Sequence, residues 1–142
     1  MKKIVLLGLI FGLSGCDTVP VKQEEKVQVP LYRQFAFKIK DEKNDAKVII
    51  TRDSGVTGKA CLYSVWVDGV LAASLKTKET VTLFIPSGER IFKVARDPEG
   101  KGICAKGNNR WTQIESIIDN KVVKSFRLSI DTFGKAELQR EK

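Results

Sequence analysis

The tightest constraint on this chain is a two-residue Asp68-Gly69 step between two apolar runs, residues 61–67 and 70–75. Both residues accept positive φ, and the twist of such a turn matches the strands it joins, which predicts a β-hairpin. Similar alternation continues on either side. Phe35, Phe37 and Ile39 alternate with Ala36 and Lys38, predicting a half-buried strand. Residues 48–51 are a short β-branched run ended by Asp53-Ser54-Gly55. After the hairpin, Val81, Leu83 and Ile85 make a strand, Pro86-Ser87-Gly88 turns the chain, and residues 91–95 resume it. Residues 111–118 form the next strand, and Asp119-Asn120-Lys121 leads into residues 122–130, where Phe126, Leu128 and Ile130 share a face. Thr132-Phe133-Gly134 turns once more into a short strand at 136–138. No amphipathic helix interrupts this series. About seven to nine short, regularly spaced strands predict an all-β fold, a single antiparallel β-sandwich over residues 32–142.

One segment breaks the rhythm. Residues 96–111 hold Pro98, Gly100, Gly102, Gly107, Asn108 and Asn109, with Cys104 in the middle. A loop this long in a compact domain is usually functional or disordered. It carries Arg96, Lys101, Lys106, Arg110 and Trp111, and Arg and Trp are frequent anchors of recognition surfaces. A Trp face also stacks on sugar rings. The alternative is that Trp111 begins a strand and packs inward while the cations face water.

The N-terminus carries an address. Lys2 and Lys3 precede an apolar run over residues 4–13, and Leu13-Ser14-Gly15-Cys16 follows. A basic start, a short apolar stretch and small residues before a break are the parts of a cleavable signal peptide. The run is shorter than the roughly 20 residues needed to span a bilayer. Leu-Ser-Gly-Cys resembles the lipobox of bacterial lipoproteins. That resemblance implies removal of residues 1–15, a diacylglyceryl group and an amide-linked acyl chain on Cys16, and permanent anchoring, since two lipid signals suffice. The same resemblance implies that Asp17, directly after the lipidated cysteine, favours retention in the inner membrane on its periplasmic side, with the outer membrane as the alternative. Residues 16–31, between the lipid and the domain, read as a flexible tether. Pro20 and Pro30 bracket it, and Gln23-Glu24-Glu25-Lys26 offers no apolar face.

With Cys16 acylated, Cys61 and Cys104 remain as an even pair in an oxidising compartment, which predicts a disulfide. It closes a loop of roughly 44 residues, worth about 4 kcal/mol by loop-closure entropy. The chain has no histidine, which disfavours a zinc site built on two thiolates, a thiol nucleophile with an imidazole base, and a His-based triad. No cofactor is expected beyond the covalent lipid. Of the 25 basic residues, Lys2 and Lys3 leave with the signal, and the rest against 17 acidic ones give the mature chain about +6. A secreted protein rarely meets nucleic acid, so anionic headgroups, cell-wall polymers or an acidic protein are the fitting counterparts.

Residues 47–95, with Val67-Asp68-Gly69 and Pro86-Ser87-Gly88-Glu89, resemble the PEGA-type domains of bacterial envelope proteins and a group of small Gram-negative lipoproteins of unassigned activity. The stretch after Ala95 departs from that pattern. Catalysis is not expected. Two functions of different class follow: a non-catalytic, membrane-anchored envelope lipoprotein that docks on another protein as an accessory module, or a small-ligand or glycan binder, including a periplasmic inhibitor of a cell-wall lytic enzyme. An exposed apolar sheet face or an open strand edge would mark the first. A groove exposing Trp66 or Trp111 would mark the second.

Overall fold

The structure is a computed structural model that describes residues 17–107 and 110–141. The signal peptide and Cys16 expected from the sequence lie outside the described residues.

The described strands are β1 (Val27–Gln28), β2 (Ala46–Arg52), β3 (Tyr63–Val67), β4 (Val70–Leu75), β5 (Glu79–Ile85), β6 (Gly88–Arg96), β7 (Trp111–Ile118), β8 (Lys124–Ile130) and β9 (Ala136–Arg140). They form a five-stranded sheet in the order β1-β5-β2-β8-β9 and a four-stranded sheet in the order β4-β3-β6-β7. Successive side chains of a strand point to opposite faces, and each sheet turns its apolar positions toward one shared cluster. Val48, Ile50, Leu83 and Leu128 enter it from the first sheet, and Tyr63, Val65, Leu75 and Val94 from the second. The rings of Phe92 (β6) and Phe126 (β8) meet between the sheets with centroids 5.1 Å apart. The fold is all-β and sandwich-like, as the strand spacing predicts.

The Asp68-Gly69 hairpin forms as expected between antiparallel β3 and β4. Asp68 and Gly69 both have positive φ, 48° and 80°. The Asp68 carboxylate also accepts the Ile91 N–H and the Arg90 guanidinium, which ties the turn to β6.

Three expectations are corrected. The sheets are not purely antiparallel, since β2 runs parallel to β8 and β1 parallel to β5. Alternation looks the same for either direction, so the pattern alone cannot reveal this. Residues 35–39 do not form a strand: Phe37 has φ 60°, Phe35 and Ile39 are exposed, and only Phe37 packs against the core. This segment is placed by its neighbours, because Gln34 bridges to Ala73 and the Phe84 N–H donates to the Phe37 carbonyl.

The largest correction concerns residues 17–31, which are laid along the domain rather than free of it. Thr18, Val21 and Val29 are buried. The Val27 and Val29 N–H groups donate to the Lys78 and Thr80 carbonyls, adding β1 to the edge of β5. Val19 and Ser54 exchange backbone hydrogen bonds, and Thr18 does the same with Ile130 through its N–H and its hydroxyl. Val21 and Val29 supply the apolar contacts while Val19 and Val27 stay exposed, and the backbone bonds offset the ordering entropy.

The Arg33–Glu79 pair fixes the turn into the domain. Both side chains are about nine-tenths buried, and the guanidinium donates to both carboxylate oxygens at 2.5 and 2.6 Å. Burial alone would raise the Glu79 carboxyl. The bonds from Arg33 and from the Lys76 N–H outweigh that and hold it below its ordinary value. Because the folded value is the lower one, the pair's contribution is present at neutral pH and lost on acidification. We expect stability to fall as pH drops below about 4.5, the ordinary value of this group. Glu79→Gln should destabilise by about 3–5 kcal/mol at pH 7, since it leaves a buried guanidinium unpaired. It should also flatten the acid limb in urea melts taken across pH.

Candidate functional site

The 96–111 loop is stapled at its centre. Cys61 and Cys104 form a disulfide with Cα atoms 5.3 Å apart, joining the loop to the segment that enters β3. On the N-terminal side of this staple, Arg96 at the end of β6 reaches under the loop. Its Nη1 donates to the carbonyls of Ile103 and Lys106, and its Nε to the Tyr63 hydroxyl. Tyr63 in turn donates to the Gly134 carbonyl at 2.9 Å. Arg110 donates to the Phe133 carbonyl at 3.2 Å. The loops 53–62, 97–107 and 131–135 therefore meet around one tyrosine hydroxyl.

The contact is close. A Cβ on Gly134 would stand 2.8 Å from Arg96 Nη2. The φ of 78° at Gly134 lies in the left-handed region that glycine accepts without strain, and it brings the β8–β9 turn against the guanidinium.

Arg96, Lys106, Gly107, Arg110, Phe133 and Gly134 line a cleft of about 120 Å³. Three of the expected loop residues thus come together, with no carboxylate among the lining residues. Such a cleft suits an anion. Lys101 is exposed on the same loop but does not line the cleft.

Trp111 belongs to a different surface. It pairs in register with Ala95 of β6, so it points to the face opposite Arg96. On that outer face, Lys93 of β6 lies between two indoles, its Nζ 5.2 Å from the centroid of Trp66 (β3) and 5.2 Å from that of Trp111 (β7). Gln113, Glu115 and Ile117 continue the face along β7, opposite Lys93, Ile91 and Glu89 of β6. Trp111 is 53% exposed and Ile117 73%. Among the described residues β7 has no strand partner beyond β6, so this face ends at a sheet edge. Neither alternative for Trp111 holds whole: it begins a strand, yet it faces outward.

Sequence reasoning missed Lys93. Its signal was the outward parity it shares with Ile91, legible only once β6 is registered against Trp66 and Gln113. Asp17 is exposed one residue before the anchored Thr18. The chain matches no protein-family model and no curated protein.

The staple should matter far more than the exposed charges. Replacing Cys61 and Cys104 together with alanine should lower stability by about 4 kcal/mol. Lys101→Ala should stay within about 0.5 kcal/mol of the parent. Denaturant titrations without reductant check both.

Proposed function

We propose that this protein is a lipid-anchored, non-catalytic module of the cell envelope. It is held to the membrane by acylated Cys16, faces the periplasm, and docks on another envelope protein. The observation that carries the docking reading is the outer face of the four-stranded sheet, where Trp111, Ile91 and Ile117 are exposed beside β7, the last strand of that sheet. An unpaired edge strand offers a row of backbone donors and acceptors to a partner strand, and exposed apolar side chains beside it supply burial. Glu89, Lys93 and Glu115 interrupt the apolar surface and give it polar selectivity. The likeness of residues 47–95 to PEGA-type domains and the inner-membrane address given by Asp17 belong to the same proposal.

A glycan-binding reading is supported by the half-exposed Trp111 ring. Against it, Lys93 already lies beside both indoles, and the surface is a sheet face rather than a groove.

Two experiments test the proposal. A photo-crosslinking residue at Gln113 should capture a discrete envelope protein in intact cells, and Ile117→Asp should reduce that capture at least tenfold with an unchanged melting temperature. Capture undiminished by Ile117→Asp would move the interface elsewhere, and a tryptophan-fluorescence response to cell-wall fragments would favour the glycan reading. For the anchor, Cys16→Ala should abolish acylation as read by intact mass, leaving an unlipidated chain.

A further inference from the structure

We propose that the loop end of the domain is a second membrane contact, a docking surface for anionic lipid headgroups, with the Arg96–Lys106–Arg110 cleft as a phosphate site. The inference rests on the lipid-anchor reading for its starting point and then goes beyond it.

The chain geometry comes first. Thr18 is pinned to Ile130, Asp53 and Ser54 through its own bonds and those of Val19. Consecutive Cα atoms are 3.8 Å apart, so the two residues of chain that lead back from Thr18 to the lipidated position can span at most about 8 Å. An acyl anchor there leaves almost no slack. The end of the domain that carries Thr18 is then kept within reach of the headgroups, and its own surface decides whether it docks.

That end is also where the three loops converge. Thr18 lies against Gly55, so close that a Cβ there would be 3.0 Å from its methyl group. Gly55 begins the loop that carries exposed Val56 and Lys59. Ile130 leads into the turn that carries exposed Phe133. Tyr63, Arg96 and Arg110 hold that turn against the 97–107 loop, where Ile103 is exposed.

Each loop therefore presents one large apolar side chain to solvent: Val56 at 88%, Ile103 at 73% and Phe133 at 79% exposure. Apolar tips flanked by Lys and Arg are the composition of an interfacial membrane contact, in which side chains enter the headgroup region and cations meet phosphates.

The charge distribution agrees. Lys59, Lys101, Lys106 and Arg110 are exposed at this end, and Arg96 backs the cleft. Most carboxylates nearby are held in hydrogen bonds or ion pairs, although Asp97 and Asp131, bonded to N–H groups, still offset part of the positive charge. Asp53 binds Arg127 and Thr18, Asp131 accepts the N–H groups of Phe133 and Lys135, and Asp97 accepts that of Glu99. Asp17 and Glu99 are the exposed exceptions, and Lys135 is paired with Glu137. The cleft itself contains cations and Phe133 with no carboxylate, so a headgroup phosphate can sit among Arg96, Lys106 and Arg110 while Phe133 meets the acyl boundary.

The test uses the full processed chain, purified and reconstituted in vesicles, with Phe133→Trp as a depth probe and acylation of Cys16 read by intact mass. In vesicles containing phosphatidylglycerol, the added tryptophan should be quenched by brominated acyl chains, and in pure phosphatidylcholine it should not. Each surface cation shifts association with an anionic membrane roughly fivefold. Lys106→Ala with Arg110→Ala should therefore lower the docked-to-undocked ratio about 25-fold. Lys47→Ala with Lys121→Ala, away from these loops, should leave it unchanged.

An acylated Phe133→Trp protein whose added indole escapes quenching in phosphatidylglycerol vesicles would overturn the docking and leave the anchor standing. If mass shows no acyl group, the anchor reading fails by itself, and sedimentation of that chain with the same vesicles decides the loop end. Binding there supports it and no binding overturns it. Saturable binding of inorganic phosphate without probe quenching would make the cleft a soluble-anion site and overturn the membrane assignment.

Discussion

A single buried cation holds this domain together at its loop end. Arg52 is 1% exposed, at the end of the most central apolar strand, and its hydrogen bonds go to backbone carbonyls rather than to a carboxylate. Its guanidinium donates to the carbonyls of Cys61, Leu75 and Gly58, and lies 4.6 Å from the centroid of the Tyr63 ring. Burial pushes its pKa down to about 10, which still leaves it charged at neutral pH. Charge-assisted bonds to carbonyls are worth about 1.5–3 kcal/mol each, and a desolvated cation on an aromatic face about 2 kcal/mol. Arg52 thus gives the irregular 53–62 loop a fixed shape without a helix or strand.

What hangs from this cation is the tyrosine beneath it. Tyr63 has its ring against Arg52 and its hydroxyl between Gly134 and Arg96. The disulfide then sets the 97–107 loop over the same point. Three loops that are far apart in sequence become one surface because Tyr63 touches two of them and reaches the third through Arg96. The cleft is a consequence of that geometry rather than of any local sequence motif.

Two further ion pairs decide where the N-terminal segment goes. Arg33 with Glu79 clamps the entry to the domain, and Asp53 with Arg127 offers Thr18 a hydrogen-bonding site at its base. The Asp53 carboxylate raises the pKa of Arg127 in return. A segment with few apolar residues is thereby ordered by polar contacts at its two ends and by strand addition between them. The functional consequence is positional. A lipid on Cys16 would hold the loop end to the membrane and leave the Trp66–Lys93–Trp111 face to meet other components.

The sequence by itself determined strands β2 to β9, though not β1 or the absence of a strand at 35–39, together with the Asp68-Gly69 hairpin and the Cys61–Cys104 pair, because these depend on local periodicity, turn chemistry and cysteine count. It also located the cationic loop. Tertiary structure decided what those residues share. Arg96, Lys106 and Arg110 gather while Trp111 turns away, because neighbouring residues of a strand point to opposite faces and only sheet register says which face is which. Strand direction was equally hidden, since β2 beside β8 reads alike parallel or antiparallel. The packing of residues 17–31 was hidden for a different reason. Four valines give too weak a local signal, and the hydrogen bonds that order them come from β5, Ser54 and Ile130, partners that exist only once the sheet has formed.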